Sequence, residues 1–438
     1  MERSRNGRIG PSKTSPDQSG PPARARQRAF AVAAMPDGED LAELKELLRT
    51  AGVATVGELV QHRDQPHPNL YLGPGKVSEL KPLLAAADAN VVVTDDELTP
   101  RQERNLEKEL GMPVIDRTTV ILDIFAGHAG SAEGKLQVEL AQLEYNLARM
   151  RGLWTHLERL GGGIGTRGPG ESQIETDRRL ARDRISALRR KLEHVKSTRA
   201  VMRAERERAH LPSVALAGYT NAGKSTLLNA LTGASVGVRD RLFHTLDPST
   251  RTMRLEGRTY LVTDTVGFIR KLPHQLVDAF GATLEETRRA DLLLHVVDAS
   301  APEEELVEMV RAVEDVLEGI GAGEQTRVLV LNKADAVDDE RRRELSFRHP
   351  DAVLVSAVTG EGLDDLRARV AADFERTLVD AELLVPFSDG GVLHELHELA
   401  GDLQRQDTPG GTRVSVRLPA MLAPRYERFA LAAAAPAP

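Results

Sequence analysis

The stretch that decides the fold is PSVALAGYTNAGKST, residues 212–226. An apolar run is followed by the pattern GxxxxGKS at residues 218–225, and a helix-like segment begins at Lys224. This order of strand, glycine-rich turn and helix predicts a phosphate-binding P-loop, because the backbone N–H groups of the turn and the helix N-terminus surround the phosphates. Lys224 is predicted to reach the β- and γ-phosphates, and the Ser225 hydroxyl to bind Mg²⁺. The other residues predicted to line the phosphates are Gly218, Tyr219, Thr220, Asn221, Ala222 and Gly223.

A second motif, VLVLNKAD, selects the base of the nucleotide. Its Asp335 can accept hydrogen bonds from guanine N1–H and from the 2-amino group, whereas adenine offers neither donor there and would leave the carboxylate without partners. Further along, VLVSAVTG supplies a backbone N–H for guanine O6. We therefore expect GTP and GDP as ligands rather than ATP. The residues predicted to form this part of the site are Asn332, Lys333, Ala334, Asp335, Val355, Ser356 and Ala357.

The stretch DTVGF, residues 264–268, follows another apolar run. Asp264 is predicted to hold Mg²⁺ through its water shell, and the Gly267 N–H to meet the γ-phosphate; Thr265 and Val266 lie between them. Many signalling GTPases place a glutamine after this glycine to orient the attacking water. Phe268 cannot do that, so slow intrinsic hydrolysis is expected.

A second hydroxyl ligand for Mg²⁺, besides Ser225, is expected in RDRLFHTLDPSTR, a loop that would become ordered with GTP. Thr245 is the better candidate and Thr250 the competitor, which spacing alone does not exclude; either is otherwise an ordinary loop hydroxyl. The neighbours predicted to share the site with Thr245 are Phe243, His244, Leu246 and Asp247.

Length, composition and charge restrict the class of protein. A chain of 438 residues is too long for one core. The absence of cysteine excludes disulfides and thiol catalysis and fits a cytoplasmic protein. No apolar run approaches the roughly 20 residues that span a bilayer, and no secretory signal is evident. The net charge is −8, yet residues 171–210 hold twelve Lys and Arg against seven Asp and Glu. This basic segment indicates contact with a polyanion or a solvated helix face.

Local patterns predict a multidomain α/β protein. Alternating strand-like and helix-like segments indicate a parallel α/β subdomain, and two seams of apolar residues around GGGIGTRGPGE indicate an antiparallel helical hairpin. The glycine-rich loop, with Thr166, Arg167, Glu171 and Gln173, is either a flexible linker or a segment that orders against a partner. The predicted partition is a disordered tail 1–36, the α/β subdomain 37–130, the hairpin 131–211, a P-loop GTPase domain 212–379, a small α+β domain 380–431 and a frayed end 432–438.

Taken together, these motifs resemble the HflX family of ribosome-associated GTPases, which is related to Era and Obg within the TRAFAC class. Outside the nucleotide motifs, YLGPGKVSEL, DRTTVILDIFA, EGKLQVELAQLEY and GGGIGTRGPGESQIETDRR carry the likeness, which covers roughly residues 38–430. Era-like and TrmE-like GTPases share the nucleotide motifs but lack this N-terminal block. The chain departs from the family pattern at His244 in the switch I segment and at Ala148 and Met150 in the hairpin.

The resemblance implies a GTPase that binds the large ribosomal subunit. We also expect a monomeric, cytoplasmic and Mg²⁺-dependent protein that associates with ribosomes or with the membrane periphery. The hairpin loop would reach rRNA of the large ribosomal subunit, and the protein would split stalled or idle ribosomes under stress. The alternative is a nucleotide-gated rRNA-binding factor that assists large-subunit assembly without splitting. The resemblance also favours Thr245 over Thr250 as the switch I metal ligand.

The missing glutamine has two possible substitutes. A ribosomal group could order the water, or Asn221 could help to hold a K⁺ ion that stabilises the transition state. The other interpretation of Asn221 is a residue that caps the loop. The residues assigned to the reaction are therefore Lys224, Thr245, Gly267 and Asn221, and the metal ligands are Ser225 and Thr245.

Overall fold

The structure is a computed structural model. It describes residues 27–36, 40–150, 173–209, 211–233, 242–243, 248–255, 257–271, 281–376, 378–400, 403–419 and 422–431. The predicted glycine-rich loop lies outside these residues, as do most of the predicted tail and residues 244–247 of the predicted switch I.

The N-terminal subdomain is built on a four-stranded sheet in the order β2-β1-β3-β4, with every pair parallel. Apolar residues of α1 and α4 cover one face of the sheet, and those of α2 and α3 cover the other. The predicted parallel α/β subdomain is therefore confirmed. Its elements are β1 (Arg28–Met35), α1 (Ala42–Thr50), β2 (Ala54–His62), α2 (Pro74–Ala86), β3 (Val91–Thr94), α3 (Pro100–Leu110), β4 (Val114–Asp116) and α4 (Arg117–His128).

The prediction of a disordered tail over 1–36 is wrong for residues 28–35. They form β1, which lies between β2 and β3 and is almost completely buried. Its sequence, RAFAVAAM, is rich in alanine, which is a poor strand former in general. In a strand covered on both faces, however, small side chains let the flanking helices approach closely. Burial on two faces has overridden local propensity.

A pair of helices, α5 (Ala132–Arg149) and α6 (Gln173–Ala209), corresponds to the predicted hairpin. The Ser131 side chain caps α5 by accepting a hydrogen bond from the Gly134 N–H at 2.8 Å. The two helices pack against each other, and Glu139 pairs with Arg184 at 2.6 Å and Glu144 with Arg189 at 2.7 Å. Two of the basic residues of the charge-rich segment therefore serve helix pairing.

The central domain is a six-stranded sheet in the order β10-β9-β8-β5-β7-β6, in which only the β6–β7 pair is antiparallel. Its β/α alternation is that predicted for a P-loop domain. Its elements are β5 (Ser213–Gly218), α7 (Lys224–Thr232), β6 (Ser249–Leu255), β7 (Arg258–Asp264), α8 (Gly281–Arg289), β8 (Leu292–Asp298), α9 (Glu303–Gly319), β9 (Arg327–Asn332), α10 (Asp339–Arg348), β10 (Val353–Leu354) and α11 (Leu363–Glu375).

The C-terminal domain has a three-stranded antiparallel sheet in the order β11-β13-β12. The predicted domain boundary between residues 379 and 380 falls inside β11, which pairs with β13 along its whole length. The strand β12 was not predicted, because its sequence QRQDT is polar and it lies exposed at the sheet edge. The elements are β11 (Leu378–Val385), α12 (Gly390–Ala400), β12 (Gln404–Thr408), β13 (Gly411–Pro419) and α13 (Ala423–Tyr426).

Within the described part of the chain, no helix combines the length and the apolar character needed to cross a bilayer.

The position of β1 leads to a stability prediction. Phe30 is 3% exposed in the core that β1 forms with α2 and α3. We expect Phe30→Ala to lower the free energy of unfolding by about 3–5 kcal/mol, because it removes apolar contacts and leaves a cavity. Phe347→Ala is the matched control, since Phe347 is 87% exposed, and should change stability by less than about 0.5 kcal/mol. Equal effects in urea denaturation would contradict the burial of β1.

Candidate functional site

The predicted P-loop lies between the end of β5 and the start of α7. Two close approaches require its glycines. A Cβ on Gly218 would lie 2.2 Å from the carbonyl oxygen of Val296 on β8. A Cβ on Gly223, whose φ is +88°, would lie 2.3 Å from the side-chain nitrogen of Asn332. At both glycine positions of the GxxxxGKS pattern, a side chain would clash with a neighbouring strand, so tertiary packing requires glycine there.

Lys224 is only 7% exposed, and its ammonium is held by the loop itself. Its Nζ donates to the carbonyl oxygens of Gly218 at 3.0 Å and of Tyr219 at 2.8 Å. Burial lowers the pKa of Lys224 to about 8, while the charge of Asp264 acts in the opposite direction. A desolvated ammonium of this kind suits an anion, whose negative charge would stabilise the protonated form.

Ser225 and Asp264 come from different motifs and meet at the same end of the sheet. The Ser225 hydroxyl donates to a carboxylate oxygen of Asp264 at 2.5 Å, and Asp264 is completely buried at the end of β7. A hydroxyl and a carboxylate are oxygen ligands of the kind Mg²⁺ prefers. The side chains present therefore fit a magnesium ion between them and a bound phosphate.

The segment after Asp264 runs along the P-loop. The Thr265 hydroxyl donates to the carbonyl oxygen of Leu216 at 2.7 Å, and Val266 is buried. A Cβ on Gly267 would lie 2.8 Å from the side chain of Thr220 and 3.1 Å from Nζ of Lys224. Gly267 therefore lies beside the lysine predicted to hold the γ-phosphate.

Phe268 is fixed by both its backbone and its side chain. Its N–H donates to the Gly218 carbonyl at 3.1 Å, and its carbonyl accepts from the Thr220 N–H at 2.7 Å. The phenyl ring is 0% exposed and belongs to a core that includes residues of α4. The position that carries the water-orienting glutamine in other GTPases is used here for packing.

Only part of the predicted switch I is visible. His244, Thr245, Leu246 and Asp247 lie outside the described residues. Phe243 has φ of +55° and packs on Phe125 of α4 with ring centroids 4.5 Å apart. The competitor Thr250 lies in β6, where its hydroxyl shares a hydrogen bond of 2.9 Å with that of Thr263. That contact gives Thr250 a structural role in the sheet, and the preference for Thr245 stays a prediction.

The predicted base motif forms one connected group. The Asn332 side chain donates to the Ala222 carbonyl at 2.9 Å and accepts from the Ala357 N–H at 3.1 Å, so it ties the P-loop to the loop after β10. The Ala334 N–H donates to the Val355 carbonyl at 3.0 Å. The Ser356 hydroxyl donates to the carboxylate of Asp335. Three separate sequence motifs therefore meet at one end of the sheet.

Two residues that the sequence reasoning did not single out support this group. Asp298, at the end of β8, pairs with Lys333 at 2.6 Å, and Lys333 itself has φ of +67°. The carbonyl oxygen of Val296 leaves no room for a side chain at Gly218. The signal for Asp298 was available, since it is an acidic residue that ends the apolar run LLLHVV.

Asn221 has a left-handed backbone with φ of +61° and an exposed side chain. Asparagine tolerates this conformation better than most residues. The structure thus gives a backbone reason for asparagine here and leaves its carboxamide accessible at the mouth of the P-loop.

Comparison with known proteins agrees with this geometry. A family profile described as "50S ribosome-binding GTPase" matches residues 213–333, and the class of the domain is therefore a P-loop GTPase. Profiles described as "GTP-binding GTPase N-terminal" and "GTP-binding GTPase Middle Region" match residues 38–126 and 128–206.

Similar curated proteins cover nearly the whole chain. GTPase HflX of Lacrimispora saccharolytica is 47% identical over 384 residues, which are 87% of this chain and 90% of that protein. GTPase HflX of Escherichia coli is 45% identical over 388 residues, with the same shares. This chain belongs to the HflX family of GTPases. Among solved structures, a GTP-binding protein from Sulfolobus solfataricus in complex with GDP is 26% identical, with a TM-score of 0.40, over 79% of this chain and 98% of that one.

Proposed function

We propose that this chain is a Mg²⁺-dependent GTP switch that binds the large ribosomal subunit and splits stalled or idle ribosomes. The observation that carries the nucleotide part is the meeting of Lys224, the Ser225–Asp264 pair and Gly267 around one loop. The P-loop N–H groups and Lys224 bind the phosphates. Ser225 and Thr245 hold the metal, and Asp264 holds its water shell. The bound Mg²⁺ supplies positive charge to the β- and γ-phosphates.

Gly267 is the γ-phosphate sensor of this scheme. GTP brings an oxygen to its N–H, and GDP does not. Because Thr245 and Gly267 both depend on the γ-phosphate side of the nucleotide, hydrolysis releases two segments together. Such a loss of local contacts is the usual origin of switching in GTPases.

The ribosomal part of the proposal rests on the family and on charge. One profile that matches the chain is described as ribosome-binding. On α6, Arg179, Arg182, Arg190 and Lys191 are exposed. Arg184 and Arg189 are exposed as well, and each also pairs with a glutamate of α5. Exposed basic side chains on one helix suit the phosphates of rRNA. The same surface would also serve an assembly factor that binds rRNA without splitting ribosomes.

The buried ring of Phe268 supports a switch that turns over slowly by itself. The phenyl ring at that position cannot orient water, so fast hydrolysis needs a group from the ribosome or an extra cation near Asn221. Slow turnover suits a factor that must remain bound to GTP until it reaches its target.

The base assignment predicts a change of nucleotide preference. Asp335→Asn should weaken GDP binding by about 100-fold, because guanine N1–H and the 2-amino group lose their acceptor. The same variant should favour xanthosine diphosphate, whose C2 oxygen accepts from the new amide. Titration with both nucleotides measures the effect. Asp339→Asn, an exposed aspartate at the start of α10, is the matched control. Unchanged GDP affinity in Asp335→Asn would contradict the assignment.

Sucrose-gradient sedimentation tests the ribosomal function. With a non-hydrolysable GTP analogue, the full chain should convert whole ribosomes into subunits, and with GDP it should not. The Asp335→Asn variant serves as an internal control, because it should split ribosomes with xanthosine triphosphate and not with GTP. Co-sedimentation with the large subunit without any conversion of whole ribosomes would support the assembly function instead.

Hydrolysis rates in KCl and in NaCl, each with and without large subunits, test the two substitutes for glutamine. A ribosomal group predicts a higher rate with subunits in both salts. A K⁺ ion at Asn221 predicts a higher rate in KCl that disappears in Asn221→Gly, which keeps the left-handed backbone and removes the carboxamide. Equal wild-type rates in all four conditions would refute both ideas.

A further inference from the structure

Residues 268–271, which follow the γ-phosphate sensor Gly267, lie between the P-loop and the N-terminal subdomain. We call these four residues the switch II strap. On one side, Phe268 pairs with the P-loop through two backbone hydrogen bonds. On the other side, Arg270 and Lys271 contact side chains of the N-terminal sheet and its helices. The strap is therefore shared by two domains.

Both backbone polar groups of Arg270, the N–H and the carbonyl, form hydrogen bonds with side chains. Its N–H donates to the hydroxyl oxygen of Tyr219 at 2.8 Å, and its carbonyl accepts from the guanidinium of Arg117 at 3.2 Å. The Tyr219 hydroxyl in turn donates to Glu43, and Arg117 also bonds Glu43. Arg117 is 1% exposed, and the hydrogen bonds around it are partly shielded from water.

Lys271 carries a second sign of constraint. Its φ is +54°, a left-handed conformation that costs a residue other than glycine roughly 1–2 kcal/mol. Such a conformation persists where surrounding contacts over-determine it. Its ammonium is held by Asp96 at 2.6 Å and by Asp95 at 3.2 Å.

The two aspartates lie at the carboxyl end of a central strand of the N-terminal sheet. They follow β3 directly, and the Asp95 N–H donates to the Val32 carbonyl of β1 at 3.1 Å. In the order β2-β1-β3-β4, the connection after β1 leads to one side of that strand and β3 lies on its other side, so the strand order reverses at the β1–β3 pair. Open α/β sheets bind their ligands in the crevice beyond the carboxyl ends of two such strands. Here the crevice holds a lysine of the GTPase domain.

We propose that the N-terminal subdomain binds the switch II strap as its ligand, with Lys271 in the crevice of Asp95 and Asp96, and so positions Gly267 for the γ-phosphate. This inference rests on the proposed GTP switch. Lys271 is a positioning residue, since it acts on the nucleotide through Gly267. By thermodynamic reciprocity, any nucleotide that binds Gly267 must also strengthen the strap's hold on the N-terminal subdomain.

The proposal distinguishes GTP from GDP, because only GTP reaches Gly267. Lys271→Gly removes the ammonium and leaves a residue that adopts the left-handed backbone without strain. In the full chain this variant should weaken binding of a non-hydrolysable GTP analogue by about five-fold, in line with loss of a partly buried ion pair, with GDP affinity unchanged. Fluorescence titration with labelled nucleotides measures both affinities.

A double-mutant cycle tests whether the effect passes through the crevice. Asp96→Asn should reproduce the loss, and the double variant should lose little more than either single variant. Lys81→Ala is the matched control: it removes a surface ion pair with Glu109 in the same subdomain and should change neither affinity.

The outcomes separate the two levels of the argument. Wild-type protein that binds neither nucleotide would refute the proposed function itself. If the wild type binds both, the inference is overturned when Lys271→Gly weakens GDP and the analogue equally, since that indicates general damage. It is also overturned when Lys271→Gly changes neither affinity.

Discussion

The buried ammonium of Lys224 is the charge on which the rest of the nucleotide site depends. Burial penalises its protonated form, which is stabilised by the neutral carbonyls of Gly218 and Tyr219 in the loop and by the nearby carboxylate of Asp264 at the end of β7. The oxygens of a bound phosphate would supply the further negative charge that stabilises the protonated ammonium. The strands β5, β7 and β9 end at the same edge of one sheet, so the groups that bind phosphate, metal and base converge there without long loops.

The N-terminal subdomain and the GTPase domain are not separate bodies joined by a linker. One apolar core contains Phe125 of α4 together with Phe243, Val266 and Phe268 of the GTPase domain. The segments proposed to sense the nucleotide therefore both contribute side chains to an interdomain core. Dense packing of this kind favours discrete alternative arrangements over gradual deformation, which is what a switch requires.

The sequence was most informative where chemistry restricts the choice of residue. The GxxxxGKS pattern, the NKAD motif and DTVG each follow the strand that the sequence predicts before them. The sequence was least informative where the position of a segment in the sheet, rather than its residue types, determines its secondary structure. The alanine-rich β1 and the polar edge strand β12 both contradict their local propensity, since their environment in the sheet outweighs it.

By itself, the sequence determined the class of nucleotide site, the family and the order of the domains, because each rests on residue types at fixed spacing. Only the tertiary structure decided the meaning of Phe268 and the surroundings of Lys271. A phenyl ring after DTVG looked like a missing catalytic group, and its burial makes it part of a core shared by two domains. Contacts between Lys271 and two aspartates far apart from it in the chain depend on how two sheets face each other, which no local pattern encodes.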